Sequence, residues 1–243
     1  MRKIKKKIKI ALIKIKIKIQ LYCQKKIFVS FGENCLTDNI LERHKLKLLT
    51  TPFSHGRSNV EYILQLERDN YKDFLNPNYL QYEMFNEKKV PRLKKYNQIH
   101  NDYNELHKNG FEFTHHDVIK DESARIKLKQ RLDKLQNLIG KKKFIILYHH
   151  RVNSGTNMEQ LTDNLCELKQ LYSKNKIKSE VVCFTQNIIT DIKDRKISYK
   201  ENKEIHFFVF NTINEWEGDN QNVFWARCDD DLLSEMVYFI KKL

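Results

Sequence analysis

Short, nearly unbroken apolar runs decide which folds are open to this chain. Residues 27–31 read IFVSF, 143–148 KFIILY and 206–210 HFFVF, and 181–184 and 223–226 are shorter runs of the same kind. Each is too short for an ordinary helix and lacks the alternation of a half-solvated strand. Such runs suit strands buried on both faces, an environment found chiefly in parallel sheets covered by helices on either side. Helical patterns lie between them, at residues 36–48, 121–139, 157–172 and 232–243. Another opens at Ser58 or Asn59, with Val60, Ile63, Leu64 and Leu66 as its apolar face, and Gly140 is placed to end the 121–139 helix. The expected fold class is α/β, a three-layer, mostly parallel Rossmann-like sheet with helices on both faces.

Residues 1–26 stand apart from this pattern. They alternate Ile with Lys and hold Arg2 and ten lysines with no acid, so they carry +11 of the net +14 and leave +3 for residues 27–243. The basic character is thus local, and no nucleic-acid footprint is expected on the body. A lysine at every second or third position excludes a transmembrane helix, and there is no uninterrupted apolar core of a signal peptide. The segment reads as a disordered or loosely helical tail outside the fold, as a surface attracted to anionic lipid or nucleic acid, or as an edge strand. Residues 27–243 read as one α/β domain with an aromatic-rich irregular insertion at about 70–112, where Asn76-Pro77-Asn78 and Val90-Pro91 signal turns or extended chain. With 14 Phe and 11 Tyr against 3 Pro and 6 Gly, a packed core is expected and a disordered chain is not. Five cysteines with no CxxC pair indicate free thiols in a reducing compartment. Core packing is the plain reading of Cys166 and Cys183. The expected location is cytoplasmic, with the tail able to hold the protein peripheral to a membrane.

In a parallel sheet the working groups gather beyond the carboxyl ends of the strands. Two runs deliver polar clusters there: Gly32-Glu33-Asn34-Cys35 after the first, and His149-His150-Arg151 after KFIILY. Cys35 stands where a helix begins, and a helix N-terminus favours thiolate over thiol. A nucleophilic cysteine also needs a base and backbone donors for an oxyanion, which a Gly-x-x-Cys turn into a helix can supply. The bland alternative is a half-buried structural thiol. His115-His116-Asp117 offers a base on a loop, or else a solvated loop with a capping aspartate. His149, His150, Arg151, His55 and Arg57 suit an anionic substrate or a base role, or else strand-terminal groups in solvent. No group has the spacing of a recognised metal site, and no phosphate-binding glycine motif is present, so neither metal nor cofactor is expected. Trp216 and Trp225 read most simply as core anchors.

The motifs occur in a telling order: Gly32-Glu33-Asn34-Cys35, then Pro52-Phe53-Ser54-His55, then Phe113-Thr114-His115-His116-Asp117, then a basic helix with Arg125 and Arg131. This resembles a bacterial family described as putative papain-like cysteine peptidases (DUF1796), over roughly residues 27–228. The resemblance implies Cys35 as nucleophile with His116 and Asp117 as its partners, and brings a papain-like α+β fold in as the alternative architecture.

Two functional expectations follow. In the first, the chain is a cysteine-dependent hydrolase, peptidase-like or acyl-transferring, in which Cys35 attacks a carbonyl and His116, His149 or His150 takes the thiol proton. Gly32 and Asn34 lie in the turn whose backbone amides, after Cys35, hold the oxyanion. In the second, the rim binds an anionic sugar or phosphate ligand without catalysis through His55, Arg57, His149 and Arg151, as an accessory to surface-polysaccharide synthesis. The expected partner is a small-molecule, peptide or glycan substrate, with an anionic membrane surface or nucleic acid as a weaker expectation for residues 1–26.

Overall fold

The structure is a computed structural model that describes residues 8, 12, 15–17, 19–85, 88–95 and 110–243. In chain order its elements are β1 (Lys26–Gly32), α1 (Leu36–Arg43), α2 (Val60–Arg68), β2 (Leu80–Phe85), β3 (Lys88–Leu93), α3 (Glu122–Gln136) and β4 (Lys143–His149). They continue with α4 (Met158–Tyr172), β5 (Glu180–Ile188), β6 (Lys196–Asn202), β7 (Ile205–Thr212) and α5 (Asp230–Lys242). The longest apolar runs pair side by side. β1, β4, β5 and β7 are parallel in that spatial order, and β6 closes the far edge antiparallel to β7. The fold is thus mixed α/β with a mostly parallel five-stranded sheet.

Alternate residues of each strand feed two apolar clusters, as the two-residue period of a strand requires. Val29, Phe31, Ile146, Tyr148 and Cys183 pack with Ile63 and Leu64 of α2, Leu128 and Leu132 of α3, and Leu161 and Leu165 of α4. Phe28, Ile145, Leu147, Val182, Phe184 and Phe210 pack with Leu36, Ile40 and Leu41 of α1 and with Leu233, Met236 and Ile240 of α5. Each fully buried Leu, Ile or Phe contributes roughly 1.5–3 kcal/mol, so both clusters hold the sheet rather than one. The helices start where their side chains satisfy backbone donors. Asn59 Oδ1 accepts from Tyr62 N at 3.0 Å, and Asn157 Oδ1 accepts from Glu159 N and Gln160 N, each at 3.0 Å.

Two expectations are corrected. Residues 223–226 are not a strand: Trp225 and Ala226 take left-handed φ values of 46° and 65° inside a 3-10 segment, Phe224–Asp229. α1 ends at Arg43 rather than Leu48, because Lys45 adopts φ 60° while Leu46 N donates to Leu41 O and Lys45 N to Glu42 O. That is a Schellman stop with lysine where glycine is usual. The antiparallel hairpin β2–β3 follows in the chain, and residues 86–87 and 96–109 lie outside the described ones. Beyond the hairpin, Glu112 forms isolated bridges with Arg57 and with Arg92. Half of the basic tail also lies outside the described residues, though residues 19–23 are helical and Leu21 is buried in the first cluster. Among the described residues no helix is long and apolar enough to cross a membrane.

Candidate functional site

The rim beyond β1 is built around a close backbone approach. Gly32 pairs with His149 across the parallel ladder and has φ +130°. A Cβ there would stand 2.8 Å from His149 O and 2.9 Å from His149 N, so only glycine fits. The chain then turns through Glu33 and Asn34 to Cys35, the residue that precedes α1. Asn34 Oδ1 accepts from Leu36 N at 3.0 Å. The first backbone amide after Cys35, expected as an oxyanion donor, is therefore already engaged.

Two loops meet this turn. Thr51 and Ser54 close a capping box around the 3-10 turn Pro52–Ser54, and Phe53 stacks on Phe31 of β1 with centroids 4.6 Å apart. Ser54 Oγ lies 3.4 Å from Ser30 Oγ. The loop is then tied to the segment carrying the histidines, since Arg57 N donates to Glu112 O and Glu112 N to Arg57 O, at 3.1 and 3.0 Å. The buried Glu112 carboxylate accepts from Arg92 Nη2 at 2.5 Å and lies 3.7 Å from Arg57 Nε. These contacts bring His55 and His115 together, with ring centroids 5.8 Å apart.

His115 is the imidazole that meets the thiol: Cys35 Sγ and His115 Nε2 are 3.6 Å apart. His116, the partner implied by resemblance, is turned to α3, its Nε2 3.3 Å from Arg131 Nη1. Burial, then the charges of Arg131 and His115, lower its pKa. Asp117 orients neither histidine. It accepts from Tyr82 Oη at 2.8 Å and from Ile119 N and Lys120 N, which hold its carboxyl below the ordinary value although burial pushes the other way. Burial and then Asp38 push the Cys35 thiol up to about 11, against the pull of Arg57 and Lys47. Desolvation thus outweighs the helix terminus, and the resting group is a thiol beside an imidazole.

Cys35, His55, His115 and His116 line one open cavity of about 580 Å³. Asp38, Asn39 and Glu42 of α1, Arg131 of α3 and Asp219 complete its polar side, and Phe224 and Trp225 give it an aromatic wall. Asp38 is held by Ser30 Oγ at 3.1 Å and Lys47 Nζ at 2.5 Å. Gly218 lies under Trp225, where a Cβ would stand 2.3 Å from the indole. Sequence reasoning missed this wall because residues 223–226 resemble a core strand.

The second polar cluster of the rim does not join the cavity. His149 is buried and stacks on Phe184 at 4.9 Å. His150 Nδ1 lies 3.3 Å from Glu33 Oε1, and Arg151 N donates to the same oxygen at 2.9 Å. Burial raises Glu33 to about 8 and lowers His150 to about 4. Of His55, Arg57, His149 and Arg151, the set expected to hold an anionic ligand, His55 alone lines the cavity, and Arg57 faces Glu112 while Arg151 faces Glu215.

A family profile described as "putative papain-like cysteine peptidase" (DUF1796) matches residues 26–203. The chain belongs to that family. No curated protein and no solved structure matches it. The matched span carries Cys35, His55, His115 and His116, whereas Phe224 and Trp225 lie beyond it.

Proposed function

We propose that the protein is a cysteine-dependent hydrolase, acting on a peptide, ester or related acyl substrate, with Cys35 as nucleophile and His115 as general base. The observation that carries this reading is the 3.6 Å approach of Sγ to Nε2 on the wall of an open cavity, supported by membership of the cysteine peptidase family. Because the resting thiol is protonated, its proton passes to His115 Nε2 as Sγ forms its bond to the carbonyl carbon. The imidazolium then gives that proton to the leaving group as the carbon–leaving-group bond breaks, and water, deprotonated by the same imidazole, releases the acid and restores the thiol. Arg131 on the cavity wall is outnumbered by the carboxylates of Asp38, Glu42 and Asp219, so the lining does not select an anionic acyl substrate. We read the two-sided packing of the sheet as the three-layer, Rossmann-like arrangement, with the site at its carboxyl rim.

The test is acylation by a small activated ester, followed by intact mass and peptide mapping. One acyl group is expected on Cys35, and its formation should slow at least about 100-fold in His115→Ala. An acylation rate unchanged by that substitution would remove His115 from the mechanism. Acylation spread evenly over Cys35, Cys166 and Cys228 would remove Cys35 as the nucleophile.

A further inference from the structure

We infer that Cys35, His55 and His115 form a binding site for one divalent ion of the zinc class, with its open coordination position facing the cavity. The ligand atoms of these three residues, drawn from three separate segments, all lie within 4.8 Å of one another. A tetrahedral zinc with Zn–S of about 2.3 Å and Zn–N of about 2.0 Å sets S···N edges near 3.6 Å. The Sγ–Nε2 separation of 3.6 Å already has that length, and N···N edges are about 3.3 Å, so closing a set whose atoms lie within 4.8 Å of one another requires His55 to approach by up to about 1.5 Å. One thiolate and two imidazoles select zinc over magnesium or calcium, which prefer oxygen ligands. Three protein ligands and a free position form the pattern of a reactive zinc site, not of a closed structural one.

All three ligands line the same cavity, so solvent or a ligand reaches the fourth position from there. Asp38 and Glu42 add carboxylates to that wall, partly offset by Arg131. Binding replaces the S–H bond with an S–metal bond and releases the proton to solvent. The sulfur lone pair that would attack a carbonyl is then engaged, so the bound ion shuts off thiol chemistry reversibly. This last consequence rests on the nucleophile reading above, whereas the site itself does not.

The experiment uses the full chain, reduced and freed of metal by a chelator, and titrates it with Co²⁺. A thiolate-to-cobalt charge-transfer band is expected to saturate at one equivalent and to be displaced by Zn²⁺. His55→Asn should weaken Co²⁺ binding at least about tenfold, and Cys35→Ser should abolish the charge-transfer band, while Cys228→Ser leaves both unchanged. Circular dichroism of each variant separates lost ligation from lost folding. No charge-transfer band, or a band that survives Cys35→Ser or binds equally in His55→Asn, overturns the site. Acylation of Cys35 is then followed with and without Zn²⁺. A His55-dependent cobalt band in a protein whose Cys35 never acylates keeps the metal site and discards the nucleophile. Acylation that Zn²⁺ does not block, without a band, does the reverse.

Discussion

Glu33 and Cys35 sit two residues apart on one turn, yet they belong to opposite kinds of site. Glu33 is sealed with His150, each about 1% exposed, and burial drives both toward their neutral forms. Cys35 is half-buried beside an exposed His115 on an open cavity. Both clusters pair a titratable acid with an imidazole about 3.5 Å away. What separates them is access: a substrate or an ion can reach the second and cannot reach the first. Residue types at a sheet rim therefore do not identify a working site until the walls around them are known.

That contrast can be broken in four ways, from the largest expected effect to the smallest. The open cluster should carry chemistry and little stability. His115→Ala is expected to lower hydrolysis about 10²–10⁴-fold while moving the unfolding free energy by less than about 0.5 kcal/mol, as for an exposed side chain. Parallel kinetics and urea titration check this, and a large loss of stability would make His115 a structural group. Gly32→Ala should act the other way. Its Cβ meets the His149 backbone at a φ that L-residues avoid, so about 3 kcal/mol or more of stability should be lost. A urea midpoint equivalent to less than 1 kcal/mol would show that the close approach does not hold the rim.

The sealed pair should show in the pH dependence of stability. Glu33 is raised from 4.5 to about 8, so the folded protein keeps a proton that the unfolded chain releases, and this contribution declines as pH rises through that window. His150 is lowered from 6.5 to about 4, which makes stability rise with pH between those values. The two oppose each other below pH 6.5. Between 6.5 and 8 Glu33 acts alone, and a decline of about 2 kcal/mol is expected. Glu33→Gln should flatten that interval in denaturation curves, and an unchanged slope would mean that Glu33 is ionised in the fold. The smallest effect concerns the aromatic wall. Phe224→Ala should raise KM for a bulky acyl substrate by no more than about fivefold, under about 1 kcal/mol of lost contact, with acylation by a small ester unaffected. A slower reaction with the small ester would give Phe224 a part in positioning the thiol.

The sheet was legible where burial on both faces left an apolar run, as in β1, β4 and β7. It was illegible at β6, KISYKEN, because an exposed edge strand needs no apolar residues to pair. The opposite error came at residues 223–226, apolar enough for a strand, where Trp225 and Ala226 adopt left-handed backbone. The hairpin was hidden because Val90-Pro91 signals a turn and extended chain alike; Pro91 takes the extended form, in a two-stranded ribbon with room for a missing donor. In the site, Cys35 was readable from its turn. The choice between His115 and His116 was not, since adjacent residues on a loop diverge according to how the loop turns, and no spacing rule covers that. Arg131 draws His116 toward α3 and leaves His115 to the thiol. His55 is placed by tertiary contacts that no local pattern shows, Phe53 stacking on Phe31 of β1 and Arg57 bridging to Glu112 across more than fifty residues.

That bridge also ties two of the site's side chains to the β2–β3 hairpin. His55 and His115 are carried on segments laced to each other and, through Phe113 N to Pro91 O and Leu93 N to Phe111 O, to the β2–β3 hairpin. Cys35 follows β1, against which Phe53 of the His55 loop stacks. The sulfur and the two imidazoles thus come from three segments, held against one another by the Phe53–Phe31 stack and the Arg57–Glu112 bridge.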